Sequence, residues 1–127
     1  MPCQFQKHYT PEEARALLPQ VRQWLERLLE LRAELANFDQ RLSGLTAPGL
    51  DRGGDLVSQW VRTLAGIQET LSEFFRREIR IKDLNRGLID FPAIRAGKEV
   101  FLCWEQGEDD IQFWHDLDAG YAGRERL

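Results

Sequence analysis

Apolar residues recur at alternating intervals of three and four positions through the first third of the chain, and this spacing constrains the fold more than any other feature. Two interleaved series carry it: Ala14, Val21, Leu28, Leu35 and Leu42, with Leu17, Trp24, Leu31 and Phe38. Such a heptad is typical of one long helix with a coiled-coil seam. Thr10 precedes Pro11, and Glu13 can bond back to Thr10, which is a helix-start signal. We therefore predict a helix over 11–42.

The same spacing returns after a glycine- and proline-containing segment at 43–54, which we predict to be a loop. Two series again interleave: Val57, Leu64 and Leu71, with Trp60, Ile67 and Phe74. They predict a second helix over 55–78. Because the loop between the two helices is short, the helices must run antiparallel as a coiled-coil-like helical hairpin.

Each predicted helix carries more apolar surface than a two-helix seam uses. Leu18 and Leu25 widen the stripe of the first helix, and Val61 and Phe75 widen that of the second. A stripe of this width contacts two neighbours. The rest of the chain or a second copy must cover the extra surface, and we expect a homodimer that forms through the hairpins as a four-helix bundle.

The hydrophobic period changes from helical to alternating near residue 79. Short segments rich in β-forming residues, separated by turns, lie at 79–84, 88–91, 99–104 and 111–114. They predict a small antiparallel β-meander of three to four strands within 79–115. The glycine-rich tail over 116–127 is predicted to be irregular.

Both faces of this sheet should be buried, because apolar residues occupy both. Val100 and Trp104 point to one face of their strand, whereas Phe101 and Cys103 point to the other. The hairpin can cover one face, and the tail or a second copy must cover the other. The complete prediction is an α+β fold that forms a single domain over 1–127.

Several motifs along the chain are distinctive. They are Tyr9 to Pro19, Ile81 to Pro92, Val100 to Trp104, Gly107-Glu108, Trp114-His115 and Gly120 to Arg124. Together they resemble an uncharacterised prokaryotic family, domain of unknown function 2203 (DUF2203), over nearly the whole chain. Similar members often end in Gln-Pro after the Gly-Arg pair, whereas Glu125 and Arg126 stand here. The resemblance implies a small single-domain bacterial protein and supplies no activity.

Composition and charge disfavour several classes of protein. The chain has 17 basic and 21 acidic residues, and the resulting net charge of -4 opposes binding to nucleic acid. It contains neither an apolar run that could cross a bilayer nor a secretory signal. Its two cysteines, Cys3 and Cys103, are too far apart in sequence for a metal knuckle and too few for a disulfide framework. We expect a cytoplasmic protein without a membrane span or a nucleic-acid partner.

Charge is distributed unevenly along the second half of the chain. Residues 76–104 include seven basic and four acidic residues, whereas residues 105–127 include two basic and seven acidic residues. We expect the basic run at 76–82 to pair with the acidic turn at 105–110 or with the tail, within one chain or across a dimer.

Acidic residues and one histidine gather along the predicted meander. They are Asp83, Asp90, Glu108, His115, Asp116 and Asp118. A histidine with two or three carboxylates suits a divalent metal such as Zn or Mn. We therefore predict a candidate metal site of His115 with Asp116, Asp118 and Asp90, which a turn must bring together. In the alternative, the acids cap turns in solvent and His115 ends a strand with one hydrogen bond.

Cys103 is a candidate nucleophile with His115 as its base, because the two lie on neighbouring predicted strands. A two-residue loop would place Cys103 opposite Gln112, and a longer loop would place it nearer His115. A cysteine inside an apolar strand is more often inert core, and no phosphate loop or catalytic motif accompanies it. The sequence favours a non-enzymatic, self-associating interaction or scaffold protein; the alternative is a metal or small-ligand site at the meander.

Overall fold

The computed structural model describes residues 3–43 and 54–127, and it shows an α+β fold. Two helices come first: α1 (Pro11–Ser43) and α2 (Gly54–Arg76). Five strands follow: β1 (Arg80–Asp83), β2 (Leu88–Arg95), β3 (Lys98–Glu105), β4 (Phe113–Asp116) and β5 (Glu125–Arg126). One 3-10 turn, Tyr121–Gly123, precedes β5. The loop predicted over 43–54 lies outside the described residues except at its two ends.

The predicted capping interaction is present at the start of α1. The Thr10 hydroxyl accepts a hydrogen bond from the N–H of Glu13 at 3.1 Å, and the Glu13 carboxylate accepts one from the N–H of Thr10 at 2.9 Å. α2 ends at Arg76, before its predicted end at residue 78. It stops there because Glu78 takes a left-handed φ of 58° and the N–H of Ile79 bonds to the carbonyl of Phe74 at 3.0 Å.

The five strands form one antiparallel sheet in chain order. Ala96 and Gly97 join β2 to β3 with φ angles of 52° and 75°, the left-handed pair that a two-residue hairpin turn favours. This turn sets Asp90 directly opposite Cys103. The longer connection to β4 sets Phe113 opposite Cys103, between the two registers considered from the sequence.

The sheet has five strands, where the sequence predicts three to four. The tail supplies the fifth, because β5 pairs with β4 and the N–H of Leu127 bonds to the carbonyl of Gln112 at 2.9 Å. The prediction of an irregular tail is therefore only partly right. A strand of two residues is too short to show an alternating pattern, which is why the sequence did not reveal it.

The side of the sheet that faces the helices, called the inner face here, is entirely apolar at its centre. Its buried residues are Ile89, Phe91, Ala93, Val100, Leu102 and Trp104. They form one hydrophobic core with Leu18, Val21 and Leu25 of α1 and Phe74 of α2. The extra apolar stripe predicted for α1 is thus covered by the sheet of the same chain.

α2 contacts α1 and the core through only one of its two predicted series, that of Trp60, Ile67 and Phe74. Val57 and Leu71, expected in the seam, are 45% and 44% exposed, whereas Thr63 and Thr70 are buried. Each threonine hydroxyl donates to a carbonyl of its own helix, so its burial leaves no unpaired donor. A Cβ at Gly66 would lie 3.3 Å from Leu31, which shows how closely α2 approaches α1 there.

The opposite side of the sheet, the outer face, is also buried at its centre. Phe101 packs against Phe5 with ring centroids 5.4 Å apart, and Gly120 and Tyr121 of the tail help line a cavity over the same face. The prediction that both faces are covered is confirmed. Among the described residues, neither helix has the uninterrupted apolar length that crossing a membrane requires.

A buried Asp–Cys–His cluster as a candidate metal centre

Three side chains with metal-binding chemistry meet on the outer face: Asp90 of β2, Cys103 of β3 and His115 of β4. Each is at most 2% exposed. Asp90 and Cys103 are cross-strand partners, and His115 follows the partner of Cys103 by two residues, so all three point to one face. One ligand atom from each lies within 4.8 Å of the other two.

The imidazole of His115 is held by both of its nitrogens. Nδ1 lies 2.8 Å from the backbone carbonyl of Asp116. Because a carbonyl can only accept, Nδ1 carries a proton in either charge state. Nε2 lies 3.0 Å from Oδ1 of Asp90. Loss of one proton therefore leaves a lone pair on Nε2, on the side of the ring that faces Asp90.

The metal-free cluster is an ion pair at neutral pH. Burial lowers the pKa of His115, but the hydrogen bonds to Asp90 and to the carbonyl of Asp116, the neighbouring thiol of Cys103 and the charge of Asp90 outweigh burial and raise that pKa to about 10. The imidazolium of His115 then faces the carboxylate of Asp90.

One oxygen of the Asp90 carboxylate has no partner. Oδ2 is buried and makes no hydrogen bond with any residue that the structure describes. Buried polar atoms are nearly always satisfied, and leaving a buried acceptor unpaired costs roughly 1 to 3 kcal/mol. Oδ2 is therefore a free acceptor inside a closed part of the molecule.

A small cavity opens beside the cluster. Its volume is about 100 Å³, and its wall includes Lys82, Leu88, Gly120 and Tyr121 together with the three cluster residues. Arg124 of the tail closes another side, with Nη1 3.9 Å from Sγ of Cys103. The same nitrogen donates to both carboxylate oxygens of Glu108, at 3.2 and 3.1 Å. The cluster thus borders a cavity, and the guanidinium of Arg124 places a positive charge near the thiol of Cys103.

The family model of an uncharacterized conserved protein, DUF2203, matches residues 7–127. The chain belongs to the DUF2203 family. The resemblance noted in the sequence motifs is confirmed, and the match includes both helices, the whole sheet and all three cluster residues. No curated protein and no solved structure matches this DUF2203 chain.

The DUF2203 fold brings together only part of the metal site predicted from the sequence. His115 and Asp90 meet, as described above. The side chain of Asp116 instead lies 2.8 Å from Nζ of Lys98, and Asp118 is exposed; both line a separate surface cleft. Asp116 still contributes to the cluster, through its backbone carbonyl rather than its carboxylate.

The remaining predicted acids act locally. Asp83 accepts a hydrogen bond from the N–H of Arg86 at 3.2 Å, as the capping alternative expects. Glu108 pairs with Arg124, as above, and its carbonyl accepts a hydrogen bond from the indole of Trp104 at 2.9 Å. Neither carboxylate belongs to the cluster.

Cys103 is the member of the cluster that the metal prediction left out. A sequence signal for it exists. The two-residue turn at Ala96 and Gly97 places Asp90 opposite Cys103 by simple counting outward from the turn. The turn therefore predicts a carboxylate and a thiol side by side, whatever the register of β4 and the position of His115.

The basic run and the acidic turn do not pair with each other within the described chain. Arg76 and Arg77 bind Glu73 of their own helix, at 2.8 and 2.9 Å. In the acidic turn, Glu105 binds Arg86 at 2.6 Å. The expected pairing between these two segments is therefore not made in the monomer.

A second group of candidate ligands lies near the N-terminus: Cys3, His8 and Glu99. The Glu99 carboxylate is already bonded to Nε2 of His8 at 2.7 Å and to the N–H groups of Gln4 and Phe5 at 2.7 and 3.0 Å. Cys3 is exposed. This group therefore lacks the free buried acceptor that distinguishes the cluster around Asp90.

Proposed function

We propose that the protein binds one divalent transition metal through Asp90, Cys103 and His115, with zinc as the preferred ion. The observation that carries this proposal is the buried, unpartnered Oδ2 of Asp90 beside two other potential ligands. A metal ion would satisfy that oxygen and neutralise the charge that the carboxylate and a thiolate bring together.

The donor set supports zinc. Zinc sites are built from thiolate, imidazole and carboxylate ligands, and sites with three protein ligands keep a fourth position open. Manganese prefers oxygen ligands, so the thiol of Cys103 favours zinc over the manganese that the sequence also allowed. The cavity of about 100 Å³ beside the cluster leaves space for a water or a small ligand at the open position.

The geometry is close to what such a site needs. With zinc bonds of 2.0 to 2.3 Å, ligand atoms in a tetrahedral site lie about 3.3 to 3.6 Å apart. The three candidate atoms lie within 4.8 Å of one another, so modest side-chain movements would close the site. The bond from Nδ1 of His115 to a backbone carbonyl is the type of contact that orients metal-binding histidines.

The same contacts disfavour a catalytic triad. A Cys–His–Asp triad needs the thiol on one imidazole nitrogen and the carboxylate on the other. In His115, the backbone carbonyl of Asp116 occupies Nδ1 and the carboxylate of Asp90 occupies Nε2. No ring nitrogen is left to act as the base for Cys103 while Asp90 orients the ring, so metal binding fits the arrangement better than thiol catalysis.

The test is a metal titration of protein that has been stripped with a chelator and carries no histidine tag. We expect one zinc per chain at this site. Cobalt should replace it and produce the near-ultraviolet charge-transfer absorption of a cobalt–thiolate bond. Cys103→Ser should abolish this band, and Asp90→Asn should weaken binding. Cys3→Ser is the matched control, because it removes the other cysteine and should leave the band intact.

Two outcomes would overturn the proposal. If the stripped protein takes up neither zinc nor cobalt, the cluster is only a buried ion pair. If cobalt binds but its thiolate band is lost in Cys3→Ser and kept in Cys103→Ser, the metal occupies the N-terminal group instead. Circular dichroism of each variant checks that a loss of metal binding does not come from unfolding.

The interaction or scaffold function predicted from the sequence concerns a different surface. The inner-face core covers the extra apolar stripe of α1, but part of the stripe of α2 is exposed, notably Val61 and Phe75. Self-association through that surface, a cytoplasmic location and the lack of a nucleic-acid role remain predictions from the sequence.

A further inference from the structure

The cavity beside the cluster has a buried part and an exposed part. The three cluster residues and Leu88 are buried, and they form one part of its wall. The other part consists of Lys82, Gly120 and Tyr121, which are exposed. A ligand that enters from solvent on this side therefore passes Lys82 and Tyr121 before it reaches the cluster.

Lys82 carries a charge that no ion pair neutralises in the part of the chain that the structure describes. The other two lysines, Lys7 and Lys98, each bind a carboxylate. Nζ of Lys82 lies 5.8 Å from the ring centroid of Phe101, and that ring lies 5.5 Å from the ring of His115. An aromatic face attracts the ammonium group but gives its three N–H donors no oxygen acceptor. These donors are available on the face that holds the cluster.

The proposed metal would not neutralise this charge. Binding requires the thiol and the carboxyl to lose their protons and the histidine to be neutral, so a divalent ion and its three ligands together carry no net charge. Arg124, the cation beside the thiol, is paired with Glu108 at 3.1 Å. Lys82 has no such partner, and Arg80 of the same strand adds a second charge over Phe101, at 5.4 Å. This favours a negatively charged ligand over a neutral one.

The volume of the cavity limits the size of that ligand. The cavity measures about 100 Å³. One molecule of liquid water takes up about 30 Å³, so the cavity holds a ligand of about three or four heavy atoms. Acetate and bicarbonate have this size and share a planar group with two oxygens that bear the negative charge. Such a group can offer one oxygen to a metal and the other to an ammonium group.

We infer that the open position of the proposed metal centre takes a small carboxylate-type anion, of the size of acetate or bicarbonate, and that Lys82 binds its charge. The inference rests on the proposed function, because the metal is the second partner of the anion. Lys82 is a binding residue for the anion and is not a metal ligand.

The experiment titrates the cobalt-loaded protein with acetate and with bicarbonate at constant ionic strength. It follows the visible absorption of cobalt, which changes when the ligands of the ion change. We expect a saturable change with both anions, and the one that binds more tightly distinguishes an organic acid from bicarbonate. Acetamide, which has the shape of acetate without its charge, should have no effect. Benzoate, whose ring is too large for the cavity, should have none either.

Three variants test the role of Lys82. Lys82→Met keeps the length of the side chain without its charge and should weaken anion binding by about tenfold or more. It should still bind one cobalt with an unchanged thiolate band, whereas Lys82→Arg should retain anion binding. Lys7→Met is the matched control. Nζ of Lys7 also lies over an aromatic ring, 5.0 Å from the centroid of Tyr9, but Lys7 is not part of the cavity wall.

The outcomes separate this inference from the proposed function. If cobalt binds with its thiolate band but its absorption responds to neither anion, the inference is overturned and the metal site stands. Wild-type anion affinity in Lys82→Met would also overturn it, as would an equal response to chloride, acetamide or benzoate. A chain that takes up no cobalt fails earlier, at the metal titration, and both proposals are then wrong.

Discussion

The inner and outer faces of the sheet are both buried at their centres but are built from different chemistry. Phe91 and Trp104 of the inner face are fully buried in an apolar core. Asp90 and His115 of the outer face are 1% and 2% exposed, yet both are ionisable, and one oxygen of the Asp90 carboxylate has no hydrogen-bond partner among the residues that the structure describes. Because successive side chains of a strand point to opposite faces, the same strands bury apolar residues on the inner face and ionisable residues on the outer face.

The difference indicates which face stabilises the fold. Apolar burial contributes roughly 25 cal/mol for each Å² removed from water. A buried ion pair contributes little or nothing beyond an apolar pair of the same shape, because its desolvation cost offsets its attraction. We therefore expect the inner face to supply stability, and the outer face to retain its polar groups for the metal that we propose.

The largest effect should come from the inner face. Phe91 is fully buried and packs against Tyr9 with ring centroids 5.4 Å apart. Phe91→Ala should lower the free energy of unfolding by about 3 to 5 kcal/mol, measured by chemical denaturation. The folded fraction should still bind one zinc. Ile94→Ala, at a half-exposed position of the same strand, is the control and should change stability by about 0.5 kcal/mol or less.

The second prediction exchanges the chemistry of the outer face for that of the inner face. Asp90→Leu alone should destabilise the metal-free protein by about 3 kcal/mol, because it leaves the buried imidazolium of His115 without its carboxylate partner. Adding His115→Phe should return the free energy of unfolding to the wild-type value or above it, since an apolar pair has no desolvation cost to offset. Both variants should lose zinc binding. A double variant less stable than the single one would mean that the ion pair itself holds the fold together.

The third prediction uses pH to separate the two faces. The pKa of His115 is raised from its ordinary value of 6.5 to about 10, so the folded state keeps a proton that the unfolded chain releases. The resulting stabilisation is complete below pH 6.5 and is lost as the pH rises to about 10. Denaturation of the metal-free protein across this range should show stability falling with pH. The double variant of Asp90 and His115 should lack this part of the slope, whereas Phe91→Ala should keep it.

Much of the inner face could be predicted from the sequence, because it depends on local periodicity. The heptad of α1 and the capping residues Thr10 and Glu13 predicted that helix to within a residue at its end. The alternation in β3 assigned Val100 and Phe101 to opposite faces of the sheet. Each of these signals lies within a few residues of the structure that it specifies.

The outer face could be predicted only in part, because its contacts depend on register and on backbone groups. The length of the β3–β4 connection did not specify which residue of β4 faces Cys103. The role of the Asp116 carbonyl is invisible to a search for carboxylates. On α2, the hydrophobic series included Val57 and Leu71, but the close approach at Gly66 centres the contact on the side of Ile67 and Phe74 and leaves Val57 and Leu71 exposed.

The smallest effect should come from the tail that covers the outer face. Arg124 links this tail to Glu108 at 3.1 Å and lies beside Cys103, and its side chain is 11% exposed. Arg124→Ala should cost about 1.5 kcal/mol, in the range measured for hydrogen bonds to charged groups. It should also speed the reaction of Cys103 with a thiol reagent in a Cys3→Ser background. Arg126→Ala is the matched control, because Arg126 is exposed and forms no ion pair with the residues that the structure describes. An unchanged thiol reaction rate in Arg124→Ala would show that strand pairing, rather than this arginine, keeps the outer face closed.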